Sequence, residues 1–169
     1  MKKIIICAIC AICGFTTANA QGKFGHVNTQ EIMQAMPDVA KVQTEIQTLQ
    51  SQYEADLKSM QDEFKKKYEA FQKEQETLPD NIKQRRFQEL QEMDQKIQQS
   101  AQDNNQALQK AYQDKMQPIQ KKVGDAIDAV GQEGGYVYIM EKGLGQPIYI
   151  STTLSTDVTA QVKAKLGLK

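Results

Sequence analysis

The sequence has few of the residue types on which metal centres, disulfides and many active sites depend. Its three cysteines, Cys7, Cys10 and Cys13, all lie close to the N-terminus. The chain beyond them has no thiol, which excludes a disulfide, a cysteine-based metal site and a cysteine nucleophile there. Packing alone must therefore stabilise the fold.

Histidine is almost as scarce, because His26 is the only one. It lies within a predicted strand, where a lone histidine is more often a sheet or interface residue than a base or ligand, since a site needs partners. The sequence alone assembles no Ser/His/Asp set and no metal cluster. Gly143 and Gly145 predict a turn, because the rest of a phosphate-loop motif is missing. We therefore predict neither an enzyme nor a bound cofactor.

Long hydrophobic runs are absent except at the N-terminus. The apolar residues 4–15 follow two lysines and precede the small-residue end "ANA", which predicts a secretory signal peptide, residues 1–20, cleaved after Ala20. The run is too short to cross a bilayer as a membrane anchor. A lipid anchor is disfavoured, since Cys7 and Cys13 each follow isoleucine where a small residue is expected.

The charge of the remaining chain is close to neutral. Without Lys2 and Lys3 it carries 19 basic and 21 acidic side chains, a formal charge of −2. This balance argues against a nucleic-acid partner, for which a basic domain is expected. A chain of about 149 residues predicts one domain.

Two long polar stretches each carry a single apolar stripe, with gaps of three and four residues that indicate helix. The first stripe comprises Val39, Val42, Ile46, Leu49, Tyr53, Leu57, Met60, Phe64, Tyr68 and Phe71. The second comprises Leu90, Met93, Ile97, Ala101, Leu108, Tyr112, Met116, Ile119, Val123, Ile127 and Val130. In the second stripe, apolar residues recur every eleven positions from Ile97 to Val130, which indicates nearly straight or slightly right-handed pairing.

The segment "ETLPDNIKQRRF" marks where the two helices meet. In an antiparallel hairpin the numbers of facing residues add to a constant. A sum of 161 gives seven pairs between the stripes: Phe71 with Leu90, Tyr68 with Met93, Phe64 with Ile97, Met60 with Ala101, Tyr53 with Leu108, Leu49 with Tyr112 and Val42 with Ile119. Half of that sum falls in the "PDN" segment, where proline disfavours helix at the preceding residue. The sequence predicts helices at 37–78 and 81–130 with a tip near 79–81. Each helix uses its one stripe against its partner, so the hairpin should project into water.

Local composition marks two places where the second helix departs from a regular rod. Residues 100–105 are poor in strong helix formers, which predicts a pivot near mid-arm. Pro118 predicts a kink nearer the base.

The chain ends predict a small β-containing body, residues 21–38 and 131–169, from which the arm, residues 39–130, projects. The predicted strands are 24–28, 136–140, which is buried on both faces, and its hairpin partner 148–151. Ser155 or Thr156 is expected to cap a closing helix that Gly167 ends. So small a core leaves sheet edges open, which favours self-association. The fold class is α+β, predominantly helical: an antiparallel coiled-coil hairpin on an oligomerising sheet.

The order of these segments resembles the Skp-type (OmpH-family) periplasmic chaperones. The resemblance rests on "KFGHVNTQEIMQAMPD", a Gln/Glu/Lys-rich hairpin, "QPIQKKVGDAIDAVGQEGGYVYIME" and "STDVTAQVKAKLG". It implies an ATP-independent homotrimeric holdase whose hairpins grip a cavity and keep unfolded outer-membrane proteins from aggregating in the periplasm. It implies that the predicted strands build the trimer body, through Phe24, Val27, Tyr136, Val137, Ile139, Ile148 and Ile150.

Exposed methionine and aromatic side chains suit the tolerance of many client sequences. The residues expected to contact clients on the arms are Met60, Phe64, Tyr68, Phe71, Phe87 and Met93. Most of them also belong to the hairpin seam by their spacing. Phe87 is the exception, because it lies off the main register.

The family is associated with basic arms, from which this near-neutral chain departs. Only residues 65–86 are locally positive, with seven basic and four acidic side chains. The near-neutral balance of the chain as a whole argues against capture of clients by charge, and it makes contact with lipopolysaccharide or a membrane surface doubtful. The alternative function is a structural coiled-coil envelope protein or a scaffold that binds a folded partner.

Overall fold

The structure, a computed structural model, describes residues 22–143 and 149–168. In chain order the elements are β1 (Lys23–Val27), α1 (Thr29–Ala35), α2 (Pro37–Glu74), α3 (Asp80–Gly134), β2 (Tyr136–Glu141), β3 (Ser155–Asp157) and α4 (Thr159–Lys165). The predicted α+β class with two dominant long helices is confirmed. The predicted signal peptide and Ile148 lie outside the described residues.

Two helices, α2 and α3, form an antiparallel hairpin. At about 1.5 Å per residue, their 38 and 55 residues correspond to about 57 Å and about 82 Å. Three ion pairs join them, Asp38 with Lys122, Glu45 with Lys115 and Glu74 with Arg86. The residue numbers of each pair add to 160, one less than the predicted 161, so a single register holds from base to tip.

The chain reverses at residues 75–79, slightly before the segment that the sequence indicated. Helix α2 ends at Glu74, whose carbonyl accepts hydrogen bonds from the backbone amides of Thr77 and Leu78. Helix α3 begins at Asp80, directly after Pro79, and no side chain caps it. Residues 100–105 and Pro118 both lie within α3, which is one continuous helix. The pivot expected at residues 100–105 and the kink expected at Pro118 stay predictions.

The sheet has the order β2-β1-β3, and both outer strands run parallel to β1. The predicted hairpin partner is wrong, because residues 149–151 are not in a strand. Ser151 instead begins a turn: its Oγ accepts the amide of Leu154, and its carbonyl accepts the amide of Ser155. The chain therefore enters the sheet at Ser155, on the far side of β1.

The closing helix packs as predicted but is capped differently. The N-cap residue is Val158, which has no capping side chain, and Asp157 accepts the amide of Thr159 at 2.9 Å, so neither Ser155 nor Thr156 caps the helix. Gly167, at φ 72°, follows the helix in a left-handed conformation that suits glycine.

The core lies between one face of the sheet and the helices. Its buried members are Val27, Ile32, Met36, Val42, Met116, Ile119, Val123, Ala126, Val130, Val158 and Val162. The basal end of α3 is therefore part of this core. Four of its core residues, Met116, Ile119, Val123 and Val130, belong to the predicted hairpin stripe, and Ala126 adds to them. The other face of the sheet has no described helix against it.

Candidate functional site

The outer end of the hairpin is held together by a small apolar contact and an ion pair. Phe71 of α2 and Leu90 of α3 are buried there. The ring of Phe87 lies 6.5 Å from that of Phe71, and Arg86 reaches Glu74 at 2.6 Å. These contacts fix the two helices relative to each other next to the turn.

An open groove of about 510 Å³ runs along one side of this outer end. We call it the aromatic groove. Its apolar lining consists of Phe64, Tyr68, Phe71, Phe87 and Leu90. Its polar lining consists of Gln72, Gln75, Gln91, Asp94 and Gln95.

Helical periodicity places these side chains together. Phe64, Tyr68 and Phe71 follow one another at intervals of four and three on α2, and Phe87 and Leu90 lie three apart on α3, so each set shares a face. The rings of Phe64 and Tyr68 stack with their centroids 5.9 Å apart. The antiparallel register then brings the two faces side by side.

Two of the rings remain open to solvent. Phe87 is 53% exposed and Tyr68 is 44% exposed, although both belong to large apolar residue types. The amide of Gln72 donates to the hydroxyl of Tyr68 at 3.0 Å, which fixes the polar end of that ring. The groove is therefore an accessible aromatic surface with an ordered wall.

The charges at the outer end are separated from the aromatic groove. Asp94 is the only charged residue in the groove lining. A second depression of about 310 Å³ is lined instead by Lys67, Glu74, Arg86 and Glu89, together with Ala70, Phe71 and Leu90. The locally basic sequence of the tip thus contributes no positive charge to the groove lining.

Between the base and the tip the seam of the hairpin is thin. No side chain of α2 between Val42 and Phe71 is buried, and none of α3 between Leu90 and Met116. In the same interval of the described arm, a single ion pair crosses between the helices, that of Glu45 with Lys115 close to the base. The apolar stripe is half exposed along most of its length.

A second candidate surface is the face of the sheet that carries no described helix. Phe24 of β1 lies beside Tyr138 of β2, with 4.8 Å between their ring centroids. A depression of about 260 Å³ on this face is also lined by Met140, Tyr149 and Leu154. All three are exposed large apolar side chains.

Comparison with known proteins identifies the family. The model of the OmpH-like outer membrane protein family matches residues 23–166, which is nearly the whole chain. The chain belongs to this OmpH-like family. The predicted resemblance is thereby confirmed.

A solved structure shares the OmpH-like fold. A candidate outer-membrane chaperone (OmpH-like) from Caulobacter crescentus CB15 is 14% identical to this chain, with a TM-score of 0.72. The match covers 89% of this chain and 87% of that one. Among curated proteins, no sequence matches.

The OmpH-like chain brings four of its six predicted arm residues together. Phe64, Tyr68, Phe71 and Phe87 line the aromatic groove. Met60 and Met93 are half buried in the seam, outside the groove lining. Sequence reasoning had assigned Leu90 only to the seam and omitted the glutamine wall, although Gln91 and Gln95 lie four and eight positions after Phe87, on its helical face.

The predicted body residues divide between the two faces and the edge of the sheet. Val27 is buried in the core, and Tyr136 and Ile139 pack partly against it. Phe24 lies on the opposite face and Ile150 beside it in the same depression. Val137 is 64% exposed on β2, so the prediction of a strand buried on both faces is wrong for the single chain. The reason is that β2 is an edge strand with no described neighbour beyond it.

The sheet also assembles a Ser/His/Asp group, which the sequence analysis had excluded. Parallel pairing puts His26 of β1 beside β3, where its Nδ1 lies 2.9 Å from Ser155 Oγ and its Nε2 lies 3.6 Å from Asp157. His26 is buried between them. Asp157 is engaged at the start of α4, so the trio ties β3 and α4 to β1 as a structural contact.

The electrostatics of this contact act on Asp157. Burial raises the pKa of its carboxyl group. Hydrogen bonds from Thr159, together with the nearby His26 and Lys142, lower it by more, so that the net pKa falls below the ordinary value of 3.8. The carboxylate is therefore favoured in the folded state.

The described residues contain neither a candidate membrane span nor a candidate metal-binding cluster. No helix in the described ranges is both long and apolar enough to cross a membrane. Within those same ranges, no three or more His, Cys, Asp or Glu side chains are grouped so that they could hold a metal ion.

Proposed function

We propose that this protein is an ATP-independent holdase of the periplasm, which binds unfolded outer-membrane proteins between its arms and prevents their aggregation. The proposal includes export through the N-terminal signal peptide and a homotrimer. It requires no cofactor. Met60, Phe64, Tyr68, Phe71, Phe87 and Met93 supply client contacts.

The observation that carries the proposal is the half-exposed stripe of the arm. A hairpin that served only as a rigid spacer would gain stability by burying that stripe, since each buried aliphatic side chain contributes about 1.5–3 kcal/mol. Here the stripe is buried only at the base and at the tip. The apolar surface left between them is available to an unfolded chain.

The chemistry of the arm fits weak binding at many points. A membrane β-strand alternates apolar and polar residues, so an unfolded barrel presents apolar side chains at short intervals. Intermittent apolar groups among glutamines bind each of them weakly, and multiplicity supplies the overall affinity. Flexible methionines such as Met60 and Met93 adapt to different client sequences.

The open face of the sheet supports self-association. Parallel sheets are normally covered on both faces, whereas this one has helices packed on only one face in the described chain. The uncovered face carries Phe24, Tyr138 and Met140, and the edge strand carries the exposed Val137. Copies of the chain that cover this surface would gather their arms around a common space.

A dilution assay tests the function. A urea-unfolded outer-membrane β-barrel protein is diluted into buffer without nucleotide, and its aggregation is followed by light scattering. We expect suppression near one trimer per client. Absence of suppression would contradict the holdase and favour the scaffold.

Matched variants locate the contacts on the seam. Replacing Met60 and Met93 together by Gln removes two half-buried apolar groups from the arm, and should weaken suppression several-fold. Replacing the exposed Gln61 and Gln102 together by Ala changes the same two helices without touching the seam, and should leave suppression unchanged. Equal loss in both double variants would contradict a client surface at the seam.

A further inference from the structure

We propose that the aromatic groove is a specificity site, which takes one aromatic side chain from an extended client segment that carries no acidic residue beside it. The inference rests on the proposed function and deepens it. It distinguishes the outer end of the arm, which recognises a side chain, from the thin seam, which contacts clients non-selectively.

The size and lining of the groove fit an aromatic ring. Its volume of about 510 Å³ is in the range of small-ligand pockets. The exposed rings of Phe87 and Tyr68 belong to two pairs of different geometry, one tilted by 39° and one stacked within 14°. A client ring between them can meet one ring by its edge and another by its face, the two arrangements that aromatic pairs prefer.

The glutamine wall suits an extended backbone. Gln72, Gln75, Gln91 and Gln95 each carry an amide, which is both a donor and an acceptor. Gln91 and Gln95 make no side-chain hydrogen bond with any other described residue. Each residue of an extended peptide presents one N–H and one C=O that need partners. The amides can supply them without requiring a particular client sequence.

Charge decides which segments are accepted. The carboxylate of Asp94 is the only charge in the lining, so an acidic residue next to the client ring would face a like charge. A neutral or basic neighbour would not. The basic sequence of the tip would suggest a preference for acidic client segments. The groove has the opposite preference, because Lys67 and Arg86 line the other depression.

Outer-membrane strands have the required features. They carry girdles of aromatic residues at both membrane interfaces, so most strands of an unfolded barrel present at least one ring within an alternating segment. Several arms in one oligomer would engage several rings of one client at once, which multiplies the selectivity.

The absence of tryptophan from the chain allows a direct test. Phe87→Trp places a single reporter in the groove. Tyr112→Trp places one at the 45% exposed Tyr112, which is on the same helix but outside the groove. Both full-length variants are titrated with a short alternating peptide that has one central Phe, with a twin that has Ala there, and with a twin that has Glu on both sides of the Phe.

We expect the Phe peptide to shift the emission of Phe87→Trp to the blue and to protect it from acrylamide quenching, with no change in Tyr112→Trp. The Ala twin should bind about tenfold more weakly. The Glu-flanked twin should bind about threefold more weakly at low salt, and this difference should disappear at about 1 M salt. Unmodified protein should compete with the reporter for the peptide, whereas Phe87→Ala should not.

Three results would overturn the inference. One is equal binding of the Phe and Ala peptides, and another is an equal response from both reporters. The third is a blue shift of Phe87→Trp that grows with protein concentration without peptide, since the groove would then be a contact between copies of the chain. Light scattering with a whole client protein separates these results from a failure of the holdase proposal. Suppression of aggregation uses contacts along the whole arm, so it does not depend on Phe87 alone.

Discussion

At the scale of single residues, the stability of the body depends most on three fully buried side chains, Ile32, Val158 and Val162. Ile32 contacts the core from α1, whereas Val158 and Val162 contact it from the N-cap and the middle of α4. Replacing such a side chain by alanine leaves a cavity that the surrounding structure only partly fills.

We expect Ile32→Ala to lower the free energy of unfolding by about 2–4 kcal/mol, measured by urea titration. Ile46→Ala is the control, because Ile46 is the same residue type half buried on the arm beside the core. It should cost less than half as much. Equal losses would show that the core does not end near Val42.

Asp157 contributes a pH-dependent part of the stability. Its folded-state pKa lies below the ordinary value of 3.8, so its contribution is fully present above 3.8 and is lost as the pH falls below that value and through the folded-state pKa. Because the side chain is half exposed, the contribution should be below about 1 kcal/mol.

We expect Asp157→Asn to destabilise the fold slightly at about pH 7 and by less at about pH 3, measured by urea titration at both pH values. Asp114→Asn is the control, since Asp114 makes only an exposed ion pair within its own helix. If Asp157→Asn were equally destabilising at both pH values, the carboxylate charge would not be the stabilising feature.

At the scale of elements, the hairpin is fixed at its two ends. The base is held by the core, the tip by Phe71 and Leu90, and the long interval between them by half-exposed contacts and the one ion pair of Glu45 with Lys115. Local opening is least costly where few apolar contacts must be broken. The arm should therefore be most mobile in its middle.

We expect backbone amides of residues 98–106 to exchange with solvent faster than those of residues 119–130, by hydrogen–deuterium exchange. The first range combines weak helix formers with a thin seam, and the second range contains Ile119, Val123 and Val130, which are buried in the core. Equal protection in both ranges would contradict a mid-arm pivot.

At the scale of the whole molecule, the open face and edge of the sheet predict assembly. We expect Tyr138→Glu to convert the proposed trimer to monomers in sedimentation experiments, because it places a charge on an apolar surface that self-association would desolvate. Gln113→Glu is the control, since Gln113 lies exposed on the arm and makes the same change of charge. A wild-type monomer would contradict the assembly.

Sequence periodicity was sufficient for the long elements and insufficient for the short ones. Stripes of ten or more apolar positions fix two helices and their pairing, since a register error would misplace every member. The strand Ser155–Asp157 has three residues and no alternation to detect. The turn at Ser151, not hydropathy, decides where that strand begins.

The candidate site was predicted in the same uneven way. Phe64, Tyr68 and Phe71 follow from spacing on one helix. The position of Phe87 beside them depends on where α2 ends, and residues 75–79 decide this through the hydrogen bonds accepted by Glu74. The glutamine wall was missed because the arms are rich in glutamine throughout, so the spacing of Gln91 and Gln95 from Phe87 did not distinguish them from other glutamines.

By itself, the sequence determined a nearly neutral chain without a thiol beyond Cys13, and two long helices that reverse once, because composition and local periodicity act within a single element. Only the tertiary structure decided which surfaces remain open. Parallel pairing brings Ser155 and Asp157 to His26 across more than a hundred residues, and the hairpin register brings four aromatic rings to one groove. Such contacts depend on how distant segments pack, which no local pattern encodes.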